Sequence, residues 1–220
     1  MKKLGALLKL EFSYLKTYWL YVLLFLGIAI VMGLASQDGT SFILSLIMFV
    51  VALTTFSFEF TDKSNLNILY GTLPTNRKSI VTARYIFFIS ILFIGAIVGL
   101  IGGIIINLVF SQEVDITILL SALAFSIGIY LILVGWIAPF LFKFGWQKGK
   151  LFFWVAIAIV IITINIGGLL NAVGVSNTFN IFEFFLRNLI VSSLVSLGIG
   201  GFVIAISFFA SIKVYLKKNF

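Results

Sequence analysis

Cysteine and histidine are both missing from the 220 residues. Their absence removes disulfide frameworks, thiol chemistry, most zinc sites and histidine proton relays together, and a chain without cysteine fits a reducing compartment. Charge is scarce as well: 10% of the residues are charged against 62% hydrophobic, with a mean hydropathy of +1.23. A water-soluble globule of this size needs far more polar surface than that supplies. No G-x-x-x-x-G-K-[ST] phosphate loop occurs, so the chain lacks the usual nucleotide cradle. With no His, no Cys and no pair of carboxylates at membrane depth, there are no candidate catalytic residues and no metal ligands, which argues against an intramembrane enzyme. No ionisable group falls midway through a hydrophobic stretch either, unlike proton- and ion-coupled carriers.

What the chain has is long apolar runs. Six of them, at residues 17 to 35, 42 to 58, 80 to 109, 117 to 142, 152 to 172 and 188 to 212, are each long enough to be read as a membrane span. The expected fold is all-α: a polytopic membrane protein, one transmembrane domain over 1–220, with an interfacial helix at 1–16 ahead of six spans. No small-residue cleavage site closes the first span, so it is expected to be a membrane helix and not a signal peptide.

Orientation follows from the basic residues, which are retained beside short loops on the cytoplasmic face. Fourteen of the 15 lie at the N-terminus, in the even-numbered connections or in the tail; Arg187 is the exception. Asp38, Glu113, Asp115 and Glu183 fall in the odd-numbered connections. Both termini are therefore expected in the cytoplasm. The net charge of +8 reads as this topogenic bias plus attraction to anionic membrane lipids, and the dispersal of the charges along one membrane face speaks against nucleic acid.

In the first 16 residues Leu4, Leu7, Leu8, Phe12, Tyr14 and Leu15 share one helical face, and Lys2, Lys9, Ser13 and Lys16 share the other. That pattern describes a helix lying in the membrane interface. Glu11 falls inside the apolar arc, where an ionised carboxylate is costly. Either it faces protein and meets a basic partner, or the helix is rolled and the carboxylate is solvated.

The connection from Glu59 to Ser79 is the longest hydrophilic one. Thr61 or Asp62 is placed to cap a short helix in which Leu66, Leu69, Tyr70 and Leu73 share a face, with Gly71 and Pro74 ending it and Arg77 and Lys78 at the mouth of the third span. A capped loop helix with snorkelling basic residues is the plainer account of the same pattern.

The run Leu73, Pro74, Thr75, Asn76, Arg77, Lys78, Ser79, Ile80, Val81, Thr82, Ala83, Arg84, Tyr85 resembles the signature that follows the second span of type-2 ABC exporter permeases. Arg84 stands where that family has Lys, and Thr75 with Asn76 where it has Val and Ser. A second run, Pro139, Phe140, Leu141, Phe142, Lys143, Phe144, Gly145 and then Lys148, resembles the family's second cytoplasmic loop. With the six-span plan, the resemblance covers the whole chain. It implies the permease subunit of an exporter in the bacterial cytoplasmic membrane, paired with a second permease subunit, the same or different. Separate cytoplasmic ABC ATPases would lie beneath the pair and bind the Mg-ATP, this chain binding no cofactor. It further implies that the Asp62 to Leu73 helix seats in the ATPase through Leu66, Leu69, Tyr70 and Leu73, and that Glu11 and Arg84 join the interfacial helix to that loop. Within the family the chain is similar to the small exporters of amphipathic peptides, such as phenol-soluble modulins, and to lantibiotic self-protection systems. A stand-alone immunity or scaffold protein without transport activity is the alternative.

Two stripes of small residues, Gly95, Gly99 and Gly103 in the third span and Ser192, Ser196 and Gly200 in the sixth, recur at intervals of four and let helix backbones approach. Packing within the subunit is expected from them before dimerisation. The 25 phenylalanines suit a hydrophobic or amphipathic cargo, although most are expected to face lipid or fill the bundle. Residues 176–187 read as a short outer helix, either an aromatic interface anchor or an exit gate.

Overall fold

The computed structural model describes residues 2–64, 76–110, 112, 114–172 and 188–217, and the side chains at 2–4, 14, 153 and 156–172 lie outside that description. Among the described residues every regular element is a helix: α1 (Lys2–Thr17), α2 (Trp19–Ser36), α3 (Gly39–Lys63), α4 (Arg77–Val109), α5 (Ile116–Ala172) and α6 (Leu189–Leu216). Five are long and apolar enough to cross a membrane, over Trp19–Ser36, Gly39–Lys63, Arg77–Val109, Ile116–Phe152 and Leu189–Leu216. The chain is a polytopic helical membrane protein. The expected span at 152 to 172 is helical in its backbone, but most of its side chains lie outside the described residues, as do all of 65–75 and 173–187.

Short connections set the antiparallel order. Between α2 and α3 stand only Gln37, in the left-handed conformation with φ 55°, and Asp38, whose carboxylate accepts the Thr40 amide at 3.0 Å and so caps α3. α5 reverses at one residue. Gly145 has φ 72° and ψ −178°, a conformation that a Cβ makes costly. Twelve residues of straight helix would separate Phe140 from Phe152 by about 18 Å, yet their rings stack at 4.3 Å, and Gly149 lies against Leu141. Pro139, the first residue of the run that resembles the second cytoplasmic loop, is inside the α5 helix, where the span at 117 to 142 also puts it, and the turn falls at Gly145. A proline is tolerated there because neighbouring groups in a bundle compensate for the lost backbone bond.

The main core lies where α3, α4, α5 and α6 meet under α1, around Phe58, Phe87, Phe88, Tyr130, Leu141 and Phe142. Tyr130, fully buried, donates to the Phe88 carbonyl at 3.0 Å, and Tyr85 shares hydrogen bonds with Ser207 and Ser211 at 2.7 and 2.9 Å. A smaller cluster of Ala29, Phe42, Leu46 and Ile106 joins α2, α3 and α4 towards the other end. The glycine stripe of α4 runs along α3: a Cβ on Gly95 would stand 2.8 Å from Val50, and one on Gly103 would stand 3.1 Å from the Gly39 carbonyl. The α6 stripe meets α5 in the same manner, Gly200 and Ser196 both lying against Gly128, while Ser192 is buried. Both stripes thus make contacts inside the subunit.

Candidate functional site

The ends of α1, α3, α4 and α6 and the Gly145 turn converge where the basic residues gather. α1 presents Leu7, Leu8, Leu10, Phe12 and Leu15 to the core and leaves Lys9, Ser13 and Lys16 exposed, with Phe12 edge-on to Phe87 at 5.2 Å. Glu11 shares the inward face. It meets Arg84, about two turns into α4: the Arg84 Nε and Nη2 groups donate to Glu11 Oε1 at 3.0 and 2.8 Å. Nη2 also donates to Thr61 Oγ1 at 2.6 Å, and the guanidinium lies 4.4 Å from the centre of the Phe58 ring. Both charged residues are only 4% exposed. At such burial neither charge is tolerable without the other, so the pair fixes how α1 sits on α3 and α4.

Thr61 and Asp62, the expected caps of a loop helix, belong to the last turn of α3, which continues to Lys63, and the loop helix itself lies outside the described residues. The reason is that their side chains are satisfied there. Thr61 donates to the Ser57 carbonyl at 2.9 Å while accepting from Arg84. Asp62 accepts the backbone amide of Trp146 at 2.5 Å, so a residue of α3 caps the helix that restarts after Gly145. The space available to a Gly145 Cβ is closed by the same carboxylate, 3.0 Å away. Asp62, Thr61, Arg84, Phe58, Phe142, Gly145 and Tyr215 therefore surround one small cavity. Nearby, Tyr18 sits between α1 and α2, and burial first, then the Glu59 carboxylate, push its phenol above the ordinary range.

The far flank of the 65–75 segment is tied as well. Asn76 caps α4 through the Lys78 amide at 3.2 Å, and Arg77 Nη1 donates to the Leu216 carbonyl at 3.1 Å, at the C-terminal end of α6 where a cation is favoured. Lys78, Lys143 and Lys148 are exposed, with Lys143 4.9 Å from the Phe144 ring centre. Leu66, Leu69, Tyr70, Leu73 and Pro74, the expected coupling residues, lie outside the described residues. The structure thus brings together Glu11 with Arg84 and Asp62 with Gly145. Trp146, Ser207 and Ser211 entered the network without any sequence signal, and the partners of Thr61 and Tyr85 had none either, since a hydroxyl reads the same whether it bonds its own turn or another helix. Among the described residues no three His, Cys, Asp or Glu side chains stand close enough to hold a metal ion.

The residues that meet here sit at one end of a bundle in which five helices are long and apolar enough to cross a membrane. Residues 6–216 match the family described as ABC-2 family transporter protein. The chain belongs to that family, and so is a permease of the ABC transporter class. No curated protein and no solved structure matches it.

Proposed function

We propose that this chain is the membrane-spanning subunit of an ATP-driven exporter, with six spans, both termini in the cytoplasm, and a second permease subunit beside it. Membership of the ABC-2 family over nearly the whole chain carries the reading. Hydrolysis belongs to a separate ABC ATPase, since no phosphate loop exists here. The 65–75 segment is the coupling element, a short helix seated in the ATPase by Leu66, Leu69, Tyr70 and Leu73. Its two flanks support this role: Asp62 reaches the Gly145 turn, Thr61 reaches the Arg84–Glu11 pair, and Arg77 reaches the end of α6. A displacement of the segment by the ATPase would reach α1, α5 and α6 without passing through the bilayer. The cargo is hydrophobic or amphipathic, a peptide or lipid-like molecule, and leaves past the 176–187 segment.

The test is co-purification. Affinity-tagged chain drawn from its native membrane brings an ABC ATPase with it, and Leu73→Asp, which places an unpaired charge at the interface, cuts that association by a hundredfold or more and lowers export in step. A folded Leu73→Asp variant with undiminished ATPase binding and turnover removes the coupling role from this segment. Orientation is checked separately: in whole cells an impermeant thiol reagent labels Ser176→Cys and spares Ser64→Cys.

A further inference from the structure

A crevice of about 140 Å³ opens between α2 and α4. Its walls are Val22, Phe25 and Leu26 of α2 and Ile91, Ile94 and Val98 of α4, with α3 as its floor and Leu15 of α1 at its basic end. It exists because α2 and α4 touch at Gly33 and Ile106, near the opposite end, and are separated lower down. The wall on the α2 side is firm: Phe25 stacks on Phe49 at 5.0 Å. Virtually all of the surface inside is apolar. An apolar lining of this kind favours a hydrocarbon guest over water.

Three observations identify the guest. The lining of α4 from Ile91 to Val98 and of α3 from Leu46 to Leu53 each rises seven residues, about 10 Å, so the crevice is elongated along the helices as an acyl chain is. Its basic end is level with Tyr18, Trp19 and Tyr21, aromatic residues at the start of α2 with Trp19 58% exposed, the pattern found at headgroup depth. Lys16, beside Leu15, is exposed and has no acidic partner within 4.0 Å among the described residues. An exposed cation next in sequence to a lining residue favours an anionic headgroup at that end. We infer that the α2–α4 crevice is a binding site for one acyl chain of an anionic phospholipid from the basic leaflet, its phosphate held at Lys16. This does not depend on the ATPase or on the identity of the cargo.

The probe is phosphatidylglycerol. Full-length protein is reconstituted in vesicles of equal phosphatidylglycerol and phosphatidylcholine, extracted, and its retained lipid counted by native mass spectrometry. Wild type should keep about one phosphatidylglycerol per chain. Lys16→Glu, on the exposed face of α1, should lower the preference for phosphatidylglycerol over phosphatidylcholine about tenfold, since one basic residue near an anionic surface is worth several-fold in binding and reversal doubles the effect. Val98→Phe, which fills the crevice from a position already 37% exposed, should remove the retained lipid with the protein still helical and monodisperse. Retention and headgroup preference unchanged in both folded variants would overturn the site. So would a copurified peptide in place of the lipid, or a dimer that Val98→Phe splits, since these would give the crevice to cargo or to a second copy.

Discussion

The two ends of this bundle are held by opposite means. Away from the basic residues, helices meet through missing side chains: Gly33 on Ile106, Gly39 on Gly103, and Gly128 on Ser196 and Gly200. Asn107 adds one hydrogen bond, accepting the Gly39 amide at 2.7 Å and thus satisfying the first turn of α3. At the basic end helices meet through long side chains carrying charge, Glu11 to Arg84 and Asp62 to Trp146. Small-residue contacts are short-ranged and steric, so they have one good arrangement and yield little. Charged contacts are directional and reach across gaps, so they can be remade after a displacement. Under the proposed function, the second kind of joint stands where an ATPase would act and the first where helices stay in register.

The comparison breaks most readily at the ion pair. Glu11→Ala leaves the Arg84 guanidinium buried without its counter-charge and should destabilise the folded protein by about 3–5 kcal/mol, read as thermal unfolding in detergent. Lys9→Ala, which removes an exposed charge, should stay within about 0.5 kcal/mol. Replacing both partners, Glu11→Met with Arg84→Met, should recover most of that loss, as apolar substitutes for buried pairs commonly do, while uncoupling α1 from the 65–75 segment. Equal and negligible effects at Glu11 and Lys9 would return Glu11 to solvent.

At the other end Gly128→Leu should cost about 1–3 kcal/mol or more, because the obstructing atoms include Ser196 backbone and not merely a flexible tip. No single change at Ser196 should rescue it. A Leu there that left stability untouched would show that α5 and α6 slide freely, and the contrast between the ends would fail. Among the contacts compared, the smallest effect is expected at Asp62. Asp62→Ala removes a helix cap and should cost about 0.5–2 kcal/mol, with Asp62→Asn near wild type because an amide oxygen still accepts the Trp146 amide. If ATPase-stimulated export falls much further than stability in Asp62→Ala, the cap is also part of the transmission path.

The sequence showed its helices plainly because long apolar stretches have no other stable form in lipid. It also marked Glu11 as misplaced on its wheel and Gly95, Gly99 and Gly103 as a seam. The helix ends were harder. α3 runs on through Glu59, Thr61 and Asp62, residues whose polarity suggested a loop, because each side chain finds its partner on the protein: Lys63 for Glu59 at 2.6 Å, Arg84 for Thr61 and Trp146 for Asp62.

Composition and periodicity by themselves determined the solvent, the helical class, the inward face of α1 and the small-residue seams of α4 and α6, since these depend on local energies that recur every 3.6 residues. Which partner each inward group meets was decided by the tertiary structure. Arg84 is 73 positions from Glu11, and Trp146 is 84 from Asp62. Contacts at that separation depend on how helices cross, on a two-residue turn at Gln37 and Asp38 and on a single glycine at 145, and a helical wheel contains none of that geometry.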